Sequence, residues 1–226
     1  TPSDTPRFKD LLGSGRDLGI KISYAAQPQP KGIAQSFIIG EKFIGQDNVC
    51  LILGDNIFYG HNLTEILKEA SALEEGAFIF GYYVTDPARY GVIEFDKNCN
   101  VVSIEEKPKK PKSKWAVAGL YFYDNRVTKI AKKLKPSKRG ELEIADINNE
   151  YIKKSKLKVK LLGRGYAWLD TGTYESLIDA SVFIKTIEER QGLKIGCIEE
   201  IAYRLGYINK KELERLAKQI NTSYGD

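Results

Sequence analysis

Methionine is absent from this 226-residue chain, histidine occurs once, tryptophan twice and cysteine three times. A single histidine, His61, is too few for a His-rich zinc centre. With no Ser/His/Asp arrangement beside it, a hydrolytic triad is a poor expectation as well. Neither a P-loop nor a G-x-G-x-x-G fingerprint occurs. The cysteines, Cys50, Cys99 and Cys197, are odd in number and in no metal-ligand spacing, so they read as reduced thiols of a cytoplasmic protein. No apolar run approaches the roughly 20 residues that span a bilayer, and no signal-peptide pattern opens the chain. Internal repeats and low-complexity tracts are missing too. The lack of an initiator methionine and the start Thr1-Pro2-Ser3-Asp4-Thr5-Pro6 point to a processed N-terminus or a fragment of something longer.

What is present describes a soluble globular protein, with 42% hydrophobic and 29% charged residues. The length suits one domain over 1–226, with 192–226 as a C-terminal helical appendage. The net charge of +5 is modest and its lysines are dispersed. The densest basic run, Lys107 to Lys114, is broken by Pro108 and Pro111 and reads as a solvated loop rather than a nucleic-acid stripe.

The pattern along the chain predicts a mixed α/β fold: a Rossmann-like, mostly parallel sheet flanked by helices. A short helix over Arg7–Leu12 follows the Pro6 start signal. Ile20–Ala25 alternates like a strand and runs into Gln27-Pro28-Gln29-Pro30-Lys31-Gly32, a loop that its prolines hold extended. A helix is expected over Ile33–Phe43, with Ile33, Phe37 and Ile38 on one face. Val49–Leu53 reads as a strand buried on both faces, followed by a loop over Ile57–Asn62. An amphipathic helix over Leu63–Leu73 turns Leu63, Ile66, Leu67 and Ala70 inward, and Ala77–Val84 is a strand. This order implies parallel pairing and right-handed crossovers. Beyond Asp86-Pro87 come short strands at Gly91–Phe95, Val101–Glu105 and Val117–Tyr123, antiparallel additions with a hairpin turn at Asp96-Lys97-Asn98. Helices over Arg126–Leu134 and Glu141–Lys154, a strand over Leu157–Leu162 and a long helix over Tyr174–Arg190 follow. Two further helices, Glu199–Arg204 and Lys210–Gln219, end the chain.

Chemistry concentrates where apolar segments end in carboxylates. Asp55 closes Val49–Leu53, and Asp170 closes Tyr166–Leu169. Ligands of open α/β sheets bind beyond the carboxyl ends of strands, although an aspartate there also commonly caps a turn. If the sheet brings the two together they form an oxygen site suited to Mg²⁺, an ion that takes one or two carboxylates with phosphates and water. Trp168 lies on the same face of the extended segment as Asp170, either as a wall of the site or as core. In Ile104-Glu105-Glu106-Lys107-Pro108, Glu106 and Lys107 point opposite ways unless the proline breaks the pleat. The segment is either a solvated strand end or a place where Lys107 neutralises a phosphate and Glu106 accepts sugar hydroxyls. Gly91, after Tyr90, marks a tight turn or close approach of a ligand to the backbone.

Taken in order, Gln27-Pro-x-Pro-x-Gly32-Ile33-Ala34, Leu53-Gly54-Asp55-Asn56, Phe58-Tyr59-Gly60-His61, Tyr90-Gly91-Val92, Ile104-Glu-Glu-Lys-Pro108, Gly119-Leu-Tyr-Phe-Tyr-Asp124, Arg139-Gly-Glu-Leu-Glu-Ile144 and Ala167-Trp-Leu-Asp-Thr-Gly172 span nearly the whole chain. With them the chain resembles the sugar nucleotidyltransferases, and most closely their thymidylyltransferase branch, which serves dTDP-rhamnose biosynthesis. The resemblance implies transfer of a thymidylyl group from dTTP to glucose 1-phosphate, giving dTDP-glucose and pyrophosphate, with Mg²⁺ as cofactor and neither nucleic acid nor membrane as partner. It implies that Gln27 and Gly32 contact the base and that Asp55 and Asp170 hold the ion. Tyr90, Gly91, Glu106 and Val117 would hold the sugar, Lys107 its phosphate, and Trp168 would line the site. A second, regulatory nucleotide-sugar site for feedback ligands such as dTDP-rhamnose would use Tyr59, Gly60, Arg164, Glu200, Ile201 and Arg204. A homotetramer or dimer is the implied assembly.

One departure stands out. The family opens with a strand, a Gly-rich G-G-x-G-T-R-L loop and a lysine that together cradle the triphosphate, and none of these occurs in the 226 residues. Two expectations follow: part of a full transferase whose N-terminal region lies outside these residues, or an inactive module that binds nucleotide-sugar or assembles with partners. The 226 residues alone are expected to turn over weakly or not at all, since phosphate-contacting cations supply several kcal/mol of transition-state stabilisation. A relative using UTP or another sugar phosphate is the third expectation.

Overall fold

The computed structural model describes residues 1–225, which fall into two compact units: Gln29–Leu177, and Thr1–Pro28 with the residues from Ile178 onward. In chain order the elements are α1 (Thr5–Leu12), α2 (Gln35–Ile39), α3 (Glu41–Ile44), β1 (Val49–Ile52), β2 (Asn56–Gly60), α4 (Leu63–Ser71), β3 (Ala77–Tyr83), β4 (Gly91–Phe95), β5 (Val101–Glu106), β6 (Trp115–Tyr123), α5 (Val127–Ala131), α6 (Ile144–Lys153), β7 (Leu157–Leu162), β8 (Tyr166–Asp170), α7 (Tyr174–Gln191), α8 (Ile198–Arg204) and α9 (Lys210–Ala217).

The unit Gln29–Leu177 is a mixed α/β sheet flanked by helices, as the sequence pattern predicts. Its hub is β6. Along one edge β6 pairs antiparallel with β3, which pairs parallel with β7. Along the other it meets β4 at Ala116 and β1 from Leu120 to Tyr123, both antiparallel. The β4–β5 hairpin completes this sheet, closed by Asp96, whose carboxylate accepts from the Asn98 and Asn100 N–H groups at 2.8 Å. Strands β1 and β3 run in the same direction but are not neighbours, because β6 lies between them. The expected direct parallel pairing is therefore found only between β3 and β7 among the described residues.

Alternation along β3 and β6 supplies two cores. Ile79, Tyr121 and Tyr123 face α2, α5 and α6, where Phe37, Val127, Ile147 and Tyr151 are almost fully buried. Phe78, Phe80 and Leu120 face the other way, against Ala70 of α4 and Trp168 of β8. Each such large apolar side chain contributes about 1.5–3 kcal/mol by leaving water. Asp124 pins the sheet end, its carboxylate accepting from the Gly76 N–H and, at 2.8 Å, the Tyr151 hydroxyl, and pairing with Arg126.

Four expectations need correction. β1 is half-exposed rather than buried on both faces: Val49 and Leu51 pack against the core, while Cys50 and Ile52 turn out and join neither core cluster among the described residues. Ile57–Gly60 is a strand, not a loop, because its partner β8 arrives from far along the chain. Ile20–Ala25 joins no ladder. Its backbone folds back instead, the Ile22 N–H donating to the Ser14 carbonyl at 2.8 Å. The helix expected over Ile33–Phe43 starts two residues late and is split at Gly40 into α2 and α3, which leaves Ile33 outside it.

In the other unit α9 opens with a capping box, Asn209 and Glu212 each bonding the other's backbone N–H, and Arg215 pairs with Asp17 at 2.6 Å. Among the described residues no helix is long and apolar enough to cross a membrane.

Candidate active site

A separate two-stranded ribbon, β2 with β8, sets the chemistry. Its register places Asn56 opposite Asp170, and the Thr171 N–H donates to the Asp55 carbonyl at 2.8 Å. Two carboxylates distant in sequence thereby converge. The point where a Cβ on Gly172 would stand is 3.2 Å from Asp170 Oδ1 and 3.6 Å from Asp55 Oδ2. The glycine leaves that cradle open.

Around it lies a pocket of about 490 Å³, within the range of small-molecule sites. Eight residues singled out from the sequence line it: Asp55, Tyr90, Gly91, Glu106, Lys107, Val117, Trp168 and Asp170. The apolar wall comes from Ile33, Leu53, Ile104, Val117 and Ile144, with Trp168 tilted against Tyr90 at a ring separation of 5.0 Å. Trp168 is both wall and core, being 8% exposed.

Glu106 and Lys107 share the pocket because Lys107 leaves the pleat. Its φ of 44° is left-handed, a conformation that costs a non-glycine residue about 1–2 kcal/mol, and Pro108 follows directly. The Lys107 N–H still donates to the Tyr90 carbonyl at 3.0 Å. Gly91 makes room beside them, since a Cβ there would come within 3.2 Å of Glu106 Oε2.

Electrostatics separate the carboxylates. Burial, followed by the nearby Glu143 charge, pushes Glu106 above the usual carboxylate range against the pull of Lys107 and Arg139. Burial acts upward on Asp170 too. It is outweighed by hydrogen bonds from the Tyr90 hydroxyl (2.5 Å to Oδ2) and the Gly172 N–H (3.0 Å to Oδ1), and by Arg89, so Asp170 sits below its ordinary value. The Tyr90 phenol, buried and bonded to Asp170, is pushed up to about 12 and stays a donor.

Two hard oxygen donors facing one open cradle fit a Mg²⁺ ion that also takes phosphate and water oxygens. No group of three or more His, Cys, Asp or Glu side chains suited to a metal occurs among the described residues. A denser all-protein cage is therefore not what this geometry offers.

Other residues named from the sequence stand elsewhere. Gln27 belongs to the other unit, outside the one that builds the pocket. Gly32, at φ 96°, packs against the Leu142 backbone and is not in the pocket lining, which its neighbour Ile33 joins. Tyr59 and Gly60 occupy the end of the ribbon away from Asp170, with Arg164 in the turn between β7 and β8. Glu200, Ile201 and Arg204 lie on α8 in the other unit, Arg204 pairing with Glu200 at 2.5 Å.

Sequence reasoning gave no role to Asn56 or Arg89. Asn56 Oδ1 accepts from Trp168 Nε1 at 2.6 Å and from the Gly119 N–H at 3.0 Å, while Nδ2 donates to Asp55 Oδ1 at 2.7 Å. A Cβ on Gly119 would collide with this amide. The Asn56 signal was its place directly after Asp55. Arg89 sits in a short turn and carries no periodic signal at all.

Two aspartates, a lysine and a glutamate thus line one pocket of small-molecule size at strand ends, the arrangement of a ligand-binding site in an α/β fold. Residues 1–187 match the family model for nucleotidyl transferases, and the chain belongs to that family. Within it, the chain is 58% identical over 225 residues to a glucose-1-phosphate thymidylyltransferase from Neisseria gonorrhoeae, covering 99% of this chain and 78% of that protein. It is 53% identical over 226 residues to the protein of the same name from Xanthomonas campestris pv. campestris, covering 100% and 77%. Among solved structures, a Bacillus anthracis protein assigned as a glucose-1-phosphate thymidylyltransferase, in complex with a sucrose, superposes with a TM-score of 0.71 at 41% identity, over 79% of this chain and 71% of that one. A UDP-glucose pyrophosphorylase complexed with UDP-glucose follows, at 0.66 and 25%, over 80% and 73%.

Proposed function

We propose that this site transfers a thymidylyl group from dTTP to glucose 1-phosphate, releasing pyrophosphate and dTDP-glucose. The observation that carries the proposal is the convergence of Asp55 and Asp170 on one cradle, in a pocket that also holds Lys107 and Glu106. Similarity to thymidylyltransferases along the whole chain supports the choice of substrates.

In this reading a phosphate oxygen of glucose 1-phosphate attacks the α-phosphorus of dTTP in line, and the P–O bond to pyrophosphate breaks. No protein nucleophile is required, so the chain's task is positioning and charge neutralisation. Lys107 pairs with the sugar phosphate, and Glu106 accepts from sugar hydroxyls. Val117, Gly91, Tyr90 and Trp168 shape the space around the ring. Asp55 and Asp170 would hold Mg²⁺, which when bound neutralises phosphate charge as it accumulates. Tyr90 keeps Asp170 oriented and ionised.

Pyrophosphate release from dTTP and glucose 1-phosphate tests this directly. In the full-length enzyme, Asp55→Asn and Asp170→Asn are each expected to abolish Mg²⁺-dependent turnover, and unchanged activity in either removes that residue from the cation site. UTP is the second nucleotide to assay, because of the likeness to a UDP-glucose pyrophosphorylase. Binding of dTDP-glucose without turnover by the full-length protein would leave a binding module instead of an enzyme.

A further inference from the structure

Arg89 lies in the short turn between β3 and β4, and its side chain is 46% exposed. Its Nη2 is 3.5 Å from Asp170 Oδ2, the oxygen that also accepts from the Tyr90 hydroxyl. The guanidinium carbon stands 5.6 Å from the centre of the Tyr90 ring. Asp170 is thus shared: one oxygen faces Arg89 and Tyr90, and the other faces Asp55 across the Gly172 cradle. The other charged groups lining this pocket are Asp55, Glu106 and Lys107.

A guanidinium cannot lose its proton in a protein, so this positive charge is present at every working pH. Beside the oxygens that would hold a divalent cation it acts in two opposite ways. It repels a bare cation and partly satisfies Asp170 in the cation's stead. Toward a phosphate it is attractive, with a donor fork suited to phosphate oxygens. Being half in solvent, the side chain can move from carboxylate to phosphate without disturbing the core.

We propose that Arg89 is a resident counter-charge that makes cation binding conditional on phosphate: a bare divalent ion is held weakly, and an ion arriving with a nucleotide's phosphates is held well. The inference rests on the reading of Asp55 and Asp170 as the cation's ligands. A purely anchoring Arg89, holding the Asp170 carboxylate in place for the ion, makes the opposite prediction, because its removal would weaken binding of the bare ion.

The test is a titration of the protein with Mn²⁺, followed by the electron paramagnetic resonance signal of the hydrated ion, repeated with Arg89→Gln, Arg89→Lys and Asp55→Asn. Arg89→Gln is expected to bind Mn²⁺ alone about 2–5-fold more tightly than wild type, the range set by a half-exposed ion pair. Its Mn²⁺-supported affinity for dTDP-glucose is expected to fall by a similar factor. Arg89→Lys stays near wild type in both, and the differences shrink at high salt. Unchanged or weaker binding of Mn²⁺ alone to Arg89→Gln overturns the proposal, while loss of Mn²⁺ binding in Asp55→Asn keeps the two-carboxylate reading intact. Wild-type protein that binds no Mn²⁺ even with dTDP-glucose present, or binds it independently of Asp55, overturns both.

Discussion

Removing the Asn56 amide should cost far more than a typical polar truncation at the rim of the pocket. In Asn56→Ala the Gly119 N–H and the Trp168 indole N–H both lose their acceptor, at 3.0 and 2.6 Å in the native protein. A buried donor left unpaired costs about 1–3 kcal/mol. Two such donors set an expected loss of about 2–6 kcal/mol, toward the lower end if water enters the vacated space. Asp55 loses its tether in the same change. Asn56→Asp keeps an acceptor for both donors but puts a second carboxylate against Asp55 Oδ1, so it should retain most of the stability while disturbing the proposed cation site. Urea denaturation followed by tryptophan fluorescence reads the stability, and Mn²⁺ titration reads the site. A loss below about 1 kcal/mol in Asn56→Ala would refute the reasoning, because it would mean that neither donor depends on this amide.

Three further outcomes follow from the pocket. Glu106 has a raised folded pKa, so its contribution to stability is fully present below the unfolded value near 4.5 and is lost as pH rises through the folded value. Glu106→Gln should therefore be more stable than wild type at pH 7 and no more stable near pH 4, while KM for glucose 1-phosphate rises. Lys107→Gly and Lys107→Ala should lose the same proposed phosphate contact, but only the glycine relieves the left-handed backbone, so it should melt higher by an amount equivalent to about 1 kcal/mol. Asp170 has a depressed folded pKa, and the stability it contributes is present above the unfolded value of 3.8 and lost as pH falls through the folded one. Tyr90→Phe removes one cause of that depression and should move the acid limb of the pH–rate profile upward. An unmoved limb would show that the Tyr90 hydroxyl does not tune Asp170.

The two carboxylates at one end of the ribbon were legible in the sequence because each terminates an apolar segment. The pocket glycine Gly91 and the acidic-basic pair before Pro108 carried their own local signals. Neighbours were harder to see. Val49–Leu53 is apolar enough for a doubly buried strand, yet burial depends on what packs on each face, and the core takes Val49, Leu51 and Leu53 on one face. β2 is short and ends in glycine, so it looked like a turn until β8 supplied its partner. Lys107 illustrates a conditional signal, since the pleat puts it opposite Glu106 unless the proline intervenes, and a φ of 44° is how it does so. Arg89 and Asn56 act through contacts to residues whose proximity no local pattern encodes.

The ribbon of β2 and β8 has a consequence for how this fold tolerates change. It is a two-stranded piece distinct from the six-stranded sheet, and its register, with the Thr171 N–H bond to the Asp55 carbonyl, sets the spacing of Asp55 and Asp170. Insertions or deletions in the turns of the intervening sheet, such as the one after Asp96, would leave that spacing untouched. A one-residue slip within the ribbon would instead turn every side chain of one strand to the opposite face, carrying Trp168 out of the core and Asp170 away from Asp55 in a single step. Loss of the core contact makes such a slipped form costly, so Trp168 acts as a proofreader of the site's geometry.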